Sequence, residues 1–133
     1  MSIMTLNPAT DVLLIIDLQN DFCPAVHGTG GALAITGGDE IVPLVNAMAE
    51  EFPHVVLTQD WHPANHTSFA SSHPGTQPYE TITAPYGRQT LWPDHCVQDT
   101  PGAAFHPALH DSGVFENFEV SGDGGLSGAE LAT

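Results

Sequence analysis

A chain of 133 residues has room for one domain with a real core, and its 41% apolar content is that of an ordinary globular protein. Its charge is not ordinary, because Arg88 is the one basic residue against sixteen carboxylates, for a formal charge of -15. Such a surface repels phosphate backbones and anionic lipid, which argues against nucleic-acid and membrane-surface roles and admits an anionic substrate only where a metal receives it. An acidic cytosolic or halophilic protein has the same balance. The most apolar run, residues 12 to 16, is far short of the roughly 18 residues a membrane span needs, and no basic residues precede it as in an export signal. Cys23 and Cys96 make no disulfide framework, so the chain reads as soluble and cytoplasmic with both thiols reduced.

In chain order, residues 11 to 17 form a short hydrophobic run closed by Asp17. Continuous rather than alternating apolarity predicts a strand of a parallel sheet covered on both faces, with Asp17 at its carboxyl end, where open α/β sheets place their chemistry. An aspartate there also caps turns. The next stretch, residues 18 to 24, mixes polar side chains with Phe22 and is too polar for a routine turn. Residues 25 to 37 are glycine-rich but lack the Lys-Ser or Lys-Thr of a phosphate loop, and they predict a mobile loop and no nucleotide.

A helix is expected from about Asp39, as its cap, to about Glu51, burying Ile41, Leu44, Val45 and Met48, with Pro43 tolerated in the first turn. A second strand, residues 55 to 59, completes a βαβ unit with a right-handed crossover. It delivers Asp60 and His62 to a strand end one residue apart, pointing to the same side. A carboxylate and an imidazole so placed suit a metal ion, with a second imidazole arriving from elsewhere and positions left open for water or substrate. Asp17 and Asp60 then end neighbouring parallel strands. From His66 to about His110 periodicity disappears, and a loop this long in a compact domain is functional or disordered. Within it, residues 91 to 97 place Trp92, His95 and Cys96 close together.

Four segments carry a resemblance. Asp-Leu-Gln-Asn-Asp-Phe at 17 to 22, Thr-Gln-Asp-Trp-His-Pro-Ala-Asn-His at 58 to 66, Leu-Trp-Pro-Asp-His-Cys-Val-Gln at 91 to 98 and Thr-Pro-Gly-Ala at 100 to 103 resemble nicotinamidases, also called pyrazinamidases, of the isochorismatase-like hydrolase superfamily. The resemblance covers about residues 11 to 110. It implies a six-stranded parallel sheet with helices on both faces and hydrolysis of nicotinamide, or a similar pyridine or pyrazine carboxamide, to the acid and ammonia. It makes Asp17 the aspartate of the family's Asp-Lys-Cys triad and Asp60, His62 and His95 its metal ligands. His66 matches a further ligand of some members. Phe22 and Trp92 match the aromatic residues that hold the ring. The ion is divalent, zinc first among candidates, with iron and manganese suited to the same donors.

The pattern then breaks. The family's nucleophilic cysteine, in a Gly-Ala-Thr-Asp-x-Cys-like stretch, has no counterpart, and the chain contains no lysine. Residues 111 to 117 and 125 to 128 look like later family segments, on which alignment a lysine-bearing stretch is missing near His110. The 133 residues are therefore expected to form one incomplete isochorismatase-like domain with a less closely matched tail at 111 to 133. Two strands and one helix cannot cover both faces of a parallel sheet, so residues 12 to 16 are expected to stay partly wet and the chain marginally stable, with an exposed sheet edge open to homo-oligomers. Two other readings stand beside the amide hydrolase: a metal-hydroxide hydrolase with Asp17 as base, and a non-catalytic metal-binding remnant or partner subunit.

Overall fold

The computed structural model describes residues 5–110, so expectations for 111 to 133 lie outside the described residues. Two parallel strands, β1 (Leu13–Ile15) and β2 (Val55–Leu57), are joined by helix α1 (Val42–Glu51), as the hydrophobic runs predict. Both strands are shorter than the runs that announce them. The ladder nevertheless continues one step past β1, where the Asp17 N–H donates to the Thr58 carbonyl at 3.2 Å, so the two strand ends stay side by side.

The helix begins later than expected. Gly37, at φ +72°, opens a single 3-10 turn over Gly38–Ile41, and the α-helical ladder starts only at Val42. Asp39 therefore caps nothing with its side chain. Ile41 thereby falls in that turn rather than on the helix. Val42, Val45 and Ala49 face the core, while Ile41 and Leu44 are 50% and 62% exposed. Pro43 sits in the first helical turn, where its missing N–H costs nothing.

Among the described residues, one face of the sheet is covered and the other is open. Ile15 and Val55 pack with Leu18, Val42, Ala49, Phe52 and Leu109 into the core. Side chains alternate along a strand, so Val12, Leu14, Ile16 and Val56 fall on the opposite face, where they stay 44–67% exposed. The partly wet strand expected above is thus observed as one dry and one wet face.

The region without periodicity holds structure of its own. Strands β3 (Thr81–Ala84) and β4 (Gly87–Thr90) form an antiparallel hairpin, for which β-branched Thr81, Ile82 and Thr83 before Pro85-Tyr86-Gly87 are the sequence signal. The glycine-rich loop is tied down. Gly31, Leu33 and Ile35 donate in turn to the carbonyls of Asn20, Asp21 and Phe22 at 2.9–3.0 Å, laying the loop along the polar stretch after β1. Among the described residues, no helix is long and apolar enough to cross a membrane.

Candidate metal centre

Asp60 and His62 follow β2, and their side chains converge, with Asp60 Oδ1 3.3 Å from His62 Nε2. His95 reaches them because its segment pairs with the same strand end. The His62 N–H donates to the Cys96 carbonyl at 2.9 Å, and the Gln98 N–H to the His62 carbonyl at 2.8 Å. That register places His95 Nε2 3.5 Å from Asp60 Oδ2. One donor atom from each of Asp60, His62 and His95 lies within 4.8 Å of the other two, close enough to share one ion.

The tautomers suit the same use. His62 Nδ1 lies 3.2 Å from the His95 carbonyl, and His95 Nδ1 2.8 Å from the Pro93 carbonyl. A carbonyl only accepts, so each Nδ1 carries the hydrogen and each neutral ring turns an Nε2 lone pair toward Asp60. Two lone pairs facing a carboxylate need a positive charge among them. Without an ion a proton fills that role: burial pushes His95 down, but the hydrogen bonds to Asp60 and the Pro93 carbonyl, together with the charges of Asp60 and Asp21, outweigh it and leave the imidazole above its ordinary range. Asp60 is pulled below the usual carboxylate range although its burial opposes this, because His95, His62 and His66 surround it. Burial, joined by the neighbouring imidazoles, leaves His62 and His66 below theirs.

His66 lies beside the cluster rather than in it. Its ring is 4.6 Å from that of His62, but its Nδ1 is bonded to Ser68 Oγ at 2.7 Å and faces the Ser68 N–H at 3.3 Å. Phe69, fully buried, wedges against all three imidazoles at centroid distances of 5.1–5.7 Å. Asp17 adopts φ +51°, and the Thr58 hydroxyl donates to its Oδ1 at 2.6 Å, fixing the carboxylate at the sheet rim. Phe22 leans on His95 at 5.6 Å, whereas Trp92 packs edge-on against Tyr79 at 6.1 Å. A cleft of about 420 Å³ opens nearby, and its lining includes Asp21, Ala64, Asp94 and Val97 but neither aromatic residue nor any of the three donors.

Two buried polar residues of the segment at 17 to 22, neither expected to take part in the site, have structural consequences there. Gln19 is fully buried and hydrogen-bonds both backbone groups of Asp60. Asp21 is buried against the turn that follows His95. Their signal was the excess polarity of residues 18 to 24.

The isochorismatase domain matches residues 11–121. The chain belongs to the isochorismatase family. Nicotinamidases are among its relatives: that of Acinetobacter baylyi is 54% identical over 97 residues, 73% of this chain and 43% of the relative. The Escherichia coli nicotinamidase is 47% identical over 106 residues, 77% and 47% of the two chains. Among solved structures, a nicotinamidase pyrazinamidase of Acinetobacter baumanii gives a TM-score of 0.66 at 54% identity, over 74% of this chain and 45% of that one. The yeast nicotinamidase bound to the inhibitor nicotinaldehyde gives 0.64 at 30% identity, over 77% and 51%. A pyrazinamidase of Pyrococcus horikoshii in complex with zinc gives 0.52 at 39% identity, over 71% and 43%. This isochorismatase-family chain thus spans about half the length of the curated relatives it matches. Its parallel sheet and crossover helix are those of that α/β fold, within a family of amide hydrolases.

Proposed function

We propose that these residues form the metal- and ring-binding part of a nicotinamidase-type site, built for hydrolysis of nicotinamide to nicotinate and ammonia. The observation that carries the reading is the convergence of Asp60, His62 and His95 with both imidazoles held in the metal-ligating tautomer. Asp60, His62 and His95 would hold the ion, zinc first given the zinc-bound pyrazinamidase among the structural neighbours. A divalent ion there supplies Lewis-acid attraction for the ring nitrogen of a pyridine carboxamide.

The chain's own groups do the rest. Phe22, beside His95, offers an aromatic face to a flat heterocycle, and Trp92 supplies a second one in this reading. Nicotinaldehyde, bound by the yeast relative, is a pyridine carbonyl compound of that shape. Asp17, whose carboxylate Thr58 orients, would accept a proton from an attacking nucleophile. Neither cysteine suits that attack, for both are fully buried and burial raises both thiols, Cys96 further under Asp60, Asp21 and Asp17. With no lysine in the sequence either, the 133 residues alone bind the carboxamide and leave it intact.

The test is titration of the zinc-loaded chain with nicotinamide and nicotinaldehyde by calorimetry, beside an ammonia-release assay. Zinc-dependent binding without ammonia is expected. Ammonia release that survives alkylation of both cysteines and stops with chelator would instead establish the metal-hydroxide reading, and failure to bind zinc overturns both.

A further inference from the structure

Asp21 is 7% exposed, and its carboxylate is spent on backbone amides. Oδ2 accepts the Cys96 N–H at 2.8 Å, and Oδ1 the Ala32 N–H at 3.3 Å. A carboxylate removed from water is costly unless hydrogen-bonded, so where those bonds fall is informative. The Cys96 bond falls directly after His95, on a residue at φ +47°, a left-handed conformation that costs a non-glycine residue about 1–2 kcal/mol. The same residue's carbonyl accepts the His62 N–H. One carboxylate thus holds the turn that both imidazoles depend on.

The clamp is braced from its far side. The Asp21 N–H donates to the Gly102 carbonyl at 3.0 Å, and the Asp21 carbonyl accepts from Leu33 at 3.0 Å. Gly102 lies so close that a Cβ there would clash with Asp21 Oδ2. The next residue, Phe22, is the one that leans on His95.

We infer that Asp21 is a positioning residue of the metal centre: its carboxylate clamps the His95–Cys96 peptide from behind and so fixes the direction from which the His95 imidazole meets Asp60. The functional half rests on the metal reading above, while the clamp can be read without any metal. Asp21→Asn is isosteric but has one acceptor for two N–H groups. Gly102→Ala leaves the carboxylate's chemistry intact and pushes it off the amide. Asp94→Asn removes a charge one residue before His95, at an exposed position that makes no bond to the turn.

Two readouts apply to each variant: exchange of the Cys96 amide hydrogen in the metal-free chain, and the visible spectrum and affinity of bound cobalt(II). Asp21→Asn and Gly102→Ala are expected to speed Cys96 exchange roughly tenfold or more, alter the cobalt spectrum and weaken its binding by about 10–100-fold. Asp94→Asn should leave exchange and spectrum unchanged. Unchanged Cys96 exchange in Asp21→Asn overturns the clamp, and so does a loss of affinity that Asp94→Asn reproduces with the same spectrum, since charge alone would then account for it. If the unmodified chain binds no cobalt, the metal reading falls and the exchange measurement still decides the clamp. Should Asp21→Asn not fold, Gly102→Ala carries the same test.

Discussion

The side-chain amide of Gln19 closes on the backbone of Asp60 from both sides, accepting its N–H and donating to its carbonyl, each at 2.8 Å. A third bond runs to the Ala103 carbonyl at 2.7 Å. The pairing does for Asp60 what a neighbouring strand would do, at the point where β2 has run out. Gln19→Leu keeps the volume and strands two backbone groups of Asp60 away from water, at about 1–3 kcal/mol each. Urea unfolding of the zinc-free chain should show a total loss of about 2–6 kcal/mol on that basis. Gln59→Leu, which gives up a single bond to a carbonyl that Gln19 also serves, should lose less. Equal losses would mean that Gln19 does not hold the ligand's backbone.

Loading the centre should stabilise the fold by mass action. At zinc concentrations 100 times the dissociation constant the gain is about 2.7 kcal/mol, visible as a raised melting midpoint that chelator reverses. His62→Ala and His95→Ala should abolish the shift, since each removes one of three donors. His66→Ala should retain zinc within about tenfold, the lower end of what a supporting residue costs, because its Nδ1 is engaged with Ser68. A complete loss of zinc in His66→Ala would make it a fourth donor.

How much of this was legible in the sequence depends on which physics each residue expresses. Asp60 and His62 were legible because a strand's two-residue period puts alternate side chains on one side, and that holds wherever the strand goes. His95 was legible through resemblance alone; nothing local says that residues 95 to 98 pair with the strand end at His62. Gln19 and Asp21 were not legible as supports, because their work is done on backbone groups more than forty positions away. The helix stripe is legible at Val45 but not at Ile41, which belongs to the 3-10 turn, nor at Leu44, which lies on the helix and stays exposed. The hairpin of β3 and β4 is not legible as such, because Pro78 and Pro85 stand on either side of a β-branched run only three residues long.

The imidazoles make zinc-free and zinc-loaded chains respond to pH in opposite ways. The folded-state pKa of His95 is raised, so its ion pair with Asp60 contributes fully below the ordinary histidine value of about 6.5 and is lost as pH climbs through the raised one. Zinc needs the neutral ring, so its contribution grows over the same rise. The stability gap between the unmodified chain and His95→Gln should therefore shrink from about pH 5.5 to about pH 8.5 without zinc and widen with it. His62 and His66 are depressed, and their preference for the neutral ring is present above about 6.5 and lost as pH falls; both remain in either chain, so the difference reports His95 together with its repulsion of those two rings. Urea midpoints across that range decide it, and a zinc-free gap that widens with pH would contradict the His95–Asp60 pairing.

The two faces of β1 should respond differently to the same kind of substitution. Ile15 is 5% exposed against α1, so Ile15→Ala should cost about 2–5 kcal/mol, the usual range for emptying a packed aliphatic site. Leu14 and Ile16 are 52% and 67% exposed one residue to either side, and Leu14→Thr or Ile16→Thr should change stability by less than about 0.5 kcal/mol. Those exchanges should also raise the concentration at which light scattering reports association, because they break up the apolar patch formed with Val12 and Val56. A continuous apolar run is what a strand covered on both faces looks like, and relatives matching this chain over less than half of their own length have sequence to spare for the second cover. If Leu14→Thr proves as destabilising as Ile15→Ala, the outer face is already covered within these 133 residues, and the open half-sheet is not how the chain exists in solution.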